Sequence, residues 1–124
     1  MSDEKIPITR DAVDAYDTTR GVFHAILAEI KELSRKKPDA TMSKFKVGQI
    51  NRILTDIKAF LLNEPEAKYL DLLDDETLPQ VGDAVVVMAQ FDAALHSFVD
   101  RHKKYDQFDH EHKWYLIEEK KSRK

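Results

Sequence analysis

The sequence contains no cysteine. That excludes disulfide staples, thiolate nucleophiles, zinc ribbons and cysteine-ligated iron–sulfur clusters together. Glycine and proline are scarce, at 3 and 4 residues, too few for the many tight turns of an all-β fold. Alanine, leucine, glutamate and lysine are plentiful, a composition that favours helix. Long apolar runs are also missing. The longest, Ala84 to Ala89, is far too short to span a bilayer. The opening Met1-Ser2-Asp3-Glu4-Lys5 has neither the basic start nor the apolar stretch of a secretory signal. The expectation is a soluble cytoplasmic protein without membrane contact.

A strong charge of one sign is absent as well. The formal net charge is −3 and the pI about 5.9, so no global positive field attracts a polyphosphate, and nucleic acid is an unlikely partner. What the chain does have is 42% hydrophobic and 35% charged residues, rich in charge but with enough large apolar side chains to fold. Its 124 residues fit one domain over 1–124, with a short polar N-terminal segment and a charged C-terminal tail.

Helical periodicity is the dominant pattern. Thr9 is placed to cap a first helix, in which Val13, Tyr16, Phe23, Ile26, Leu27, Ile30 and Leu33 recur at three- and four-residue steps along one stripe. The helix ends at Arg35-Lys36-Lys37-Pro38, where cations suit the negative helix terminus and proline blocks continuation. Thr41 or Ser43 caps a second helix, whose stripe Ile50, Ile53, Leu54, Ile57, Phe60 and Leu61 runs to Asn63, just before Pro65. Pro65 and the cluster Tyr69, Leu70, Leu72, Leu73 predict a short crossover helix closed by Asp74-Asp75-Glu76.

Thr77 and Pro79 open a third helix reaching about Lys104, with Val81, Val85, Met88, Phe91, Leu95, Phe98 and Val99 on its stripe. Around Ala84-Val85-Val86-Val87-Met88-Ala89 apolar residues occupy almost every direction, which calls for cover on several sides or by another subunit. The last segment, Phe108 to Lys124, carries the apolar island Trp114-Tyr115-Leu116-Ile117 and reads as a fourth helix or a docking strap. The fold class is therefore all-α, an antiparallel helical bundle of three long helices plus a short crossover helix and a C-terminal helix or strap.

The chemistry-bearing residues are few. Asp92 and His96 stand one helical turn apart, as Asp106 and His110 would on a helix, while Asp109 and His112 are at i and i+3. A di-iron bundle core needs Glu-x-x-His pairs, and none occurs. His102 extends the stripe of Phe91, Leu95 and Phe98, which puts it at the core margin near a helix C-terminus. Asp92 lies at the edge of the same stripe and needs water or a partner such as Arg20 or Arg52. Some small helical ribonucleases carry arginine followed four to six residues later by histidine. Here Arg20 and His24 have only three residues between them, Arg101 is followed at once by His102, and His110 is too distant. Phosphate-cradling glycine loops, nucleophile elbows, His-Glu-x-x-His helices and calcium loops are absent too. The basic clusters Arg101-His102-Lys103-Lys104 and Lys120-Lys121-Ser122-Arg123-Lys124 sit where helices end, as dipole-matching charge does.

The resulting expectation is a non-enzymatic protein-interaction or regulatory module, with no cofactor and no metal. A partner protein or a second copy would dock on Val86, Val87, Trp114, Tyr115 and Leu116. Two alternatives stay open: a metal- or histidine-assisted hydrolase or nuclease around the polar residues Asp92, His96 and His102, and weak nucleic-acid binding through the basic helix ends.

Overall fold

A computed structural model describes residues 5–117. It is mostly helical: α1 spans Arg10–Lys36, α2 Lys44–Phe60 and α3 Val81–His102, with a short 3-10 helix at Pro65–Tyr69 and two strands, β1 (Lys103–Asp106) and β2 (Glu111–Trp114). α1 packs against both α2 and α3.

The first helix begins as its sequence dictates, with the Thr9 hydroxyl accepting from the Ala12 amide at 3.1 Å and satisfying one of the orphan donors of the first turn. For α2 the cap is Ser43, whose hydroxyl accepts from the Lys46 amide at 3.1 Å. Thr41 instead pairs with Gln80 in an isolated antiparallel bridge. The Met42 amide donates to the Pro79 carbonyl and the Val81 amide to the Ala40 carbonyl, so the α1–α2 connection is stitched to the start of α3.

Between the 3-10 helix and α3 the chain is extended and bound by side chains. Asn51 donates to the Leu73 carbonyl and accepts from the Leu73 amide, each at 2.9 Å, while the Lys58 ammonium donates to the Leu70 carbonyl. Those bonds replace a helical ladder and leave Leu70 and Leu73 buried. Asp74 accepts from the amides of Glu76 and Thr77, forming a turn and holding its own carboxyl below the ordinary value through those two amides, Thr77 first. Thr77 is thereby drawn into the turn, and α3 starts later than expected, at Val81.

The core lies between the three helices. Phe23, Leu27 and Ile30 of α1 meet Val47, Ile50, Leu54 and Ile57 of α2 and Ala84, Met88, Phe91, Leu95 and Phe98 of α3. The valine run resolves into a single stripe: Ala84 and Met88 are fully buried, Val85 and Val87 flank them, and Val86 faces outward at 59% exposure. At the far end of α3, Phe98 is the hub of an aromatic cluster, with ring centroids 5.7 Å from Tyr16, 5.4 Å from Phe60 and 5.5 Å from Trp114.

α3 stops at His102 rather than at Lys104, and the segment expected as a fourth helix or docking strap begins in a hairpin, its part from residue 118 onward lying outside the described residues. Residues 103–114 form an antiparallel hairpin, Lys103 opposite Trp114 and Tyr105 opposite His112. Cross-strand pairs on its faces account for this: the Lys103 ammonium lies 4.9 Å from the Trp114 ring centre, and the Tyr105 and His112 rings are 5.3 Å apart. In the turn, Asp106 accepts from the amides of Phe108 and Asp109, and His110 takes the left-handed conformation at φ 54°. The helical pairs expected at Asp106/His110 and Asp109/His112 do not form, because the intervening chain reverses direction. Lys113 pairs with Asp106 and Asp109 instead.

Beyond the hairpin, Leu116 bridges in parallel to Ile8. The Ile8 amide donates to the Tyr115 carbonyl, the Ile117 amide to the Ile8 carbonyl, and the Ile6 amide to the Arg101 carbonyl. The N-terminal segment is thus strapped between the end of α3 and the chain leaving β2.

Candidate functional site

That strap forms one wall of a groove of about 720 Å³, built where the start of α1, the end of α2 and the end of α3 converge. Its floor is apolar: Ile6 and Ile8 from the strap, Ala12 and Ala15 from α1, Phe60 from α2, and Ile117. The small alanine side chains leave the depression that larger ones would fill. Asp11 and Asp56 stand on its rim, both exposed. Among the described residues neither carboxylate has an ion-pair partner.

A polar network closes one end. The Arg101 guanidinium donates to Glu64 Oε1 at 2.5 Å and to Glu66 Oε2 at 2.9 Å. His102 is 2% exposed; its Nδ1 lies 2.7 Å from the Ile6 carbonyl oxygen and its Nε2 3.0 Å from Glu64 Oε2. A carbonyl only accepts, so Nδ1 carries a proton, and the Nε2–Glu64 contact holds another between ring and carboxylate. Both ring nitrogens are therefore hydrogen-bonded within the fold. Arg101 is paired with both glutamates. Among the described residues no buried side-chain nitrogen or oxygen lacks a partner, as is usual for a polar network inside a folded chain.

The charges in this network are mutually supporting. Burial raises the Glu66 carboxyl, but hydrogen bonds from Arg101, from its own backbone amide and from Ser97, together with the Arg101 charge, outweigh it and hold the carboxyl below its ordinary value of 4.5. Arg101 is raised in turn, first by its hydrogen bond to Glu66. A depressed folded-state carboxyl contributes stability that is complete above the unfolded value and lost as pH falls through the folded one. Glu66→Gln is accordingly expected to flatten the acid limb of the stability profile below about pH 4.5, with little added effect on its slope at neutral pH. Urea denaturation between about pH 3 and pH 6 measures it.

The structure divides the polar residues that the sequence grouped together. Asp92 and His96 do share a face of α3, where His96 Nδ1 lies 2.9 Å from the Asp92 carbonyl oxygen and 3.8 Å from its carboxylate, but the nearer side-chain partner of Asp92 is His24 of α1, at 3.0 Å. Neither Arg20 nor Arg52 reaches it: Arg20 lies over the Tyr16 ring, and Arg52 makes no ion pair among the described residues. His102 is six residues further along α3, about 9 Å up the axis and on a different face, and opposes Glu64 instead. Among the described residues no group of three or more histidine or acidic side chains is arranged to hold a metal ion.

The apolar residues expected to form one docking surface are also separated. Val86 and Trp114 sit toward opposite ends of α3, since Trp114 packs on Phe98, twelve residues or about 18 Å from Val86. Leu116 is buried, Trp114 is held in the aromatic cluster, and the Tyr115 ring lies under the Lys104 ammonium at 3.8 Å. The basic cluster at the end of α3 is dispersed too, Arg101 onto carboxylates and Lys103 and Lys104 onto aromatic rings. Lys120 to Lys124 lie outside the described residues. No described helix is long and apolar enough to cross a membrane.

No protein-family model matches the chain, and comparison with curated proteins and with solved structures finds no significant match. The residues of the groove therefore carry the functional argument by themselves. Most escaped the sequence reading: Glu64 and Glu66 flank a proline in what looked like a helix boundary, and Ile6 and Ile8 lie in a segment without period. The one available signal was His102, whose place on the apolar stripe required a buried polar partner.

Proposed function

We propose that this chain is a non-enzymatic, cytoplasmic binding module and that the groove is its binding site, taking a partner segment or small molecule with an apolar body and a positive charge. The observation that carries this reading is the contrast between the groove's two kinds of polar group. Arg101, Glu64 and His102 are paired with one another, with Glu66 and with the Ile6 carbonyl, whereas Asp11 and Asp56 face solvent above an apolar floor. An apolar body gains by leaving water for that floor, and a cation is drawn to the carboxylates. The three helices serve in this reading as an antiparallel bundle that holds both carboxylates at one rim. A phosphate backbone would meet the same carboxylates as repulsion.

A matched pair of amphiphiles tests the proposal. Octylammonium is expected to bind in the groove and octanoate, equal in chain length, is expected to bind at least tenfold more weakly. Asp11→Asn should weaken octylammonium binding about fivefold, the size of one exposed charge contact, as measured by calorimetry at low salt. Equal affinity for the two amphiphiles would contradict the reading.

A further inference from the structure

α2 has two faces. Val47, Ile50, Leu54, Ile57 and Leu61 are buried, and the opposite side carries Phe45, Gly48, Arg52, Asp56 and Ala59, with Leu62 just beyond the helix, all exposed. Phe45 is 74% and Leu62 72% exposed, two large apolar side chains flanking a charged middle. Gly48 adds an independent anomaly. A glycine inside a helix is less favourable than alanine, yet a Cβ built at Gly48 meets nothing within 4 Å. Nothing among the described residues occupies the place of the missing side chain, as is also true at Gly21 inside α1.

The arrangement reads the same in both directions about a midpoint between Ile53 and Leu54. Phe45 lies as far to one side as Leu62 to the other, Gly48 mirrors Ala59, and Arg52 mirrors Asp56 within one residue. That is the signature of an isologous contact, in which residue i meets residue j and j meets i across a two-fold axis. We propose that the outer face of α2 binds a second copy of this chain, with the two α2 helices antiparallel. Phe45 of each copy packs on Leu62 of the other, Gly48 and Ala59 allow the axes to approach closely, and Arg52 of each pairs with Asp56 of the other. Neither Arg52 nor Asp56 has an ion-pair partner among the described residues, so both are available. Val22 of α1, 53% exposed, borders the same face beside Arg52 and Asp56 across a shallow depression and widens it. A contact along about 25 Å of helix buries on the order of 1,000 Å², the low end for a specific interface, so the dimer is weak and concentration-dependent.

The proposal stands apart from the groove reading, although Asp56 and Ala59 border both surfaces. Sedimentation velocity from about 5 μM to about 1 mM is expected to show a monomer giving way to a dimer. Gly48→Leu, which adds bulk at the contact while improving helix propensity, and Arg52→Asp, which sets like charges across the axis, should each raise the midpoint concentration about tenfold or more. Combining Arg52→Asp with Asp56→Arg should return it to within about threefold of the wild type, because the mirrored pair is restored in reverse. Gly48→Leu should leave octylammonium binding unchanged, and Asp11→Asn should leave the dimer unchanged. A monomer at every concentration overturns the proposal, as does a dimer indifferent to both Gly48→Leu and Arg52→Asp, which would place the contact elsewhere.

Discussion

Glu64→Leu is expected to destabilise the protein by about 3 kcal/mol, lowering the melting temperature by about 10 °C in a chain of this size. Glu64 accepts from Arg101 with one oxygen and faces His102 Nε2 with the other, so its removal leaves that ring nitrogen without a partner and Arg101 with Glu66 alone. His102 is fully buried and cannot turn to water without breaking its bond to Ile6. A buried polar group left without its partner costs more than the net worth of the intact contact. The figure lies at the low end of the range for buried pairs because the Arg101 side chain keeps 22% exposure and can rehydrate in part. The loss should also reach the strap, since His102 and the Arg101 carbonyl both anchor Ile6. Thermal melts give the stability, and amide exchange at Ile6 and Ile8 should rise beyond what global destabilisation accounts for. A melting temperature within about 2 °C of the wild type would show that the network contributes little.

Phe98→Ala is expected to cost about 3–5 kcal/mol, the largest effect of any single side chain here. Phe98 is fully buried and touches Tyr16 of α1, Phe60 of α2, Trp114 of β2 and His102 one turn along its own helix. Those rings belong to four different elements and cannot all move inward together, so a cavity persists. Trp114 is the one tryptophan of the chain, so its fluorescence reports on this cluster directly. A red-shifted emission in the folded variant would show the hairpin lifting from α3. An unshifted spectrum with a small stability loss would mean that the hairpin is held by its backbone pairing alone.

Much of the helical framework was legible in the sequence because its information is local. Thr9 and Ser43 cap with their own side chains, and the stripes through Phe23, Ile50 and Phe91 repeat at the helical period. What escaped is held by contacts between residues far apart in the chain. The hairpin has strands of four residues and a turn, Asp-Gln-Phe-Asp-His, in which His110 occupies a left-handed position usually marked by glycine or asparagine. The strap depends on bridges between Ile8 and Leu116, and neither end has a pattern pointing to the other. The three successive valines looked like surplus apolar surface, yet only Val86 faces fully outward. The candidate site was least legible of all: position on the stripe singled out His102, but its partner Glu64 lies 38 residues away, and Asp11 and Asp56 resemble any other surface carboxylates until α1 and α2 set them on one rim.

Amide chemical-shift mapping of the wild-type protein with octylammonium and then with octanoate tests the groove most directly. Saturable shifts with octylammonium at Ala12, Ala15, Ala59 and Asn63, which line the groove, and much smaller ones with octanoate are the expected result. Shifts of equal size with both compounds, or shifts confined to surfaces away from these residues, would contradict the assignment of the groove as a site for a cationic, apolar partner.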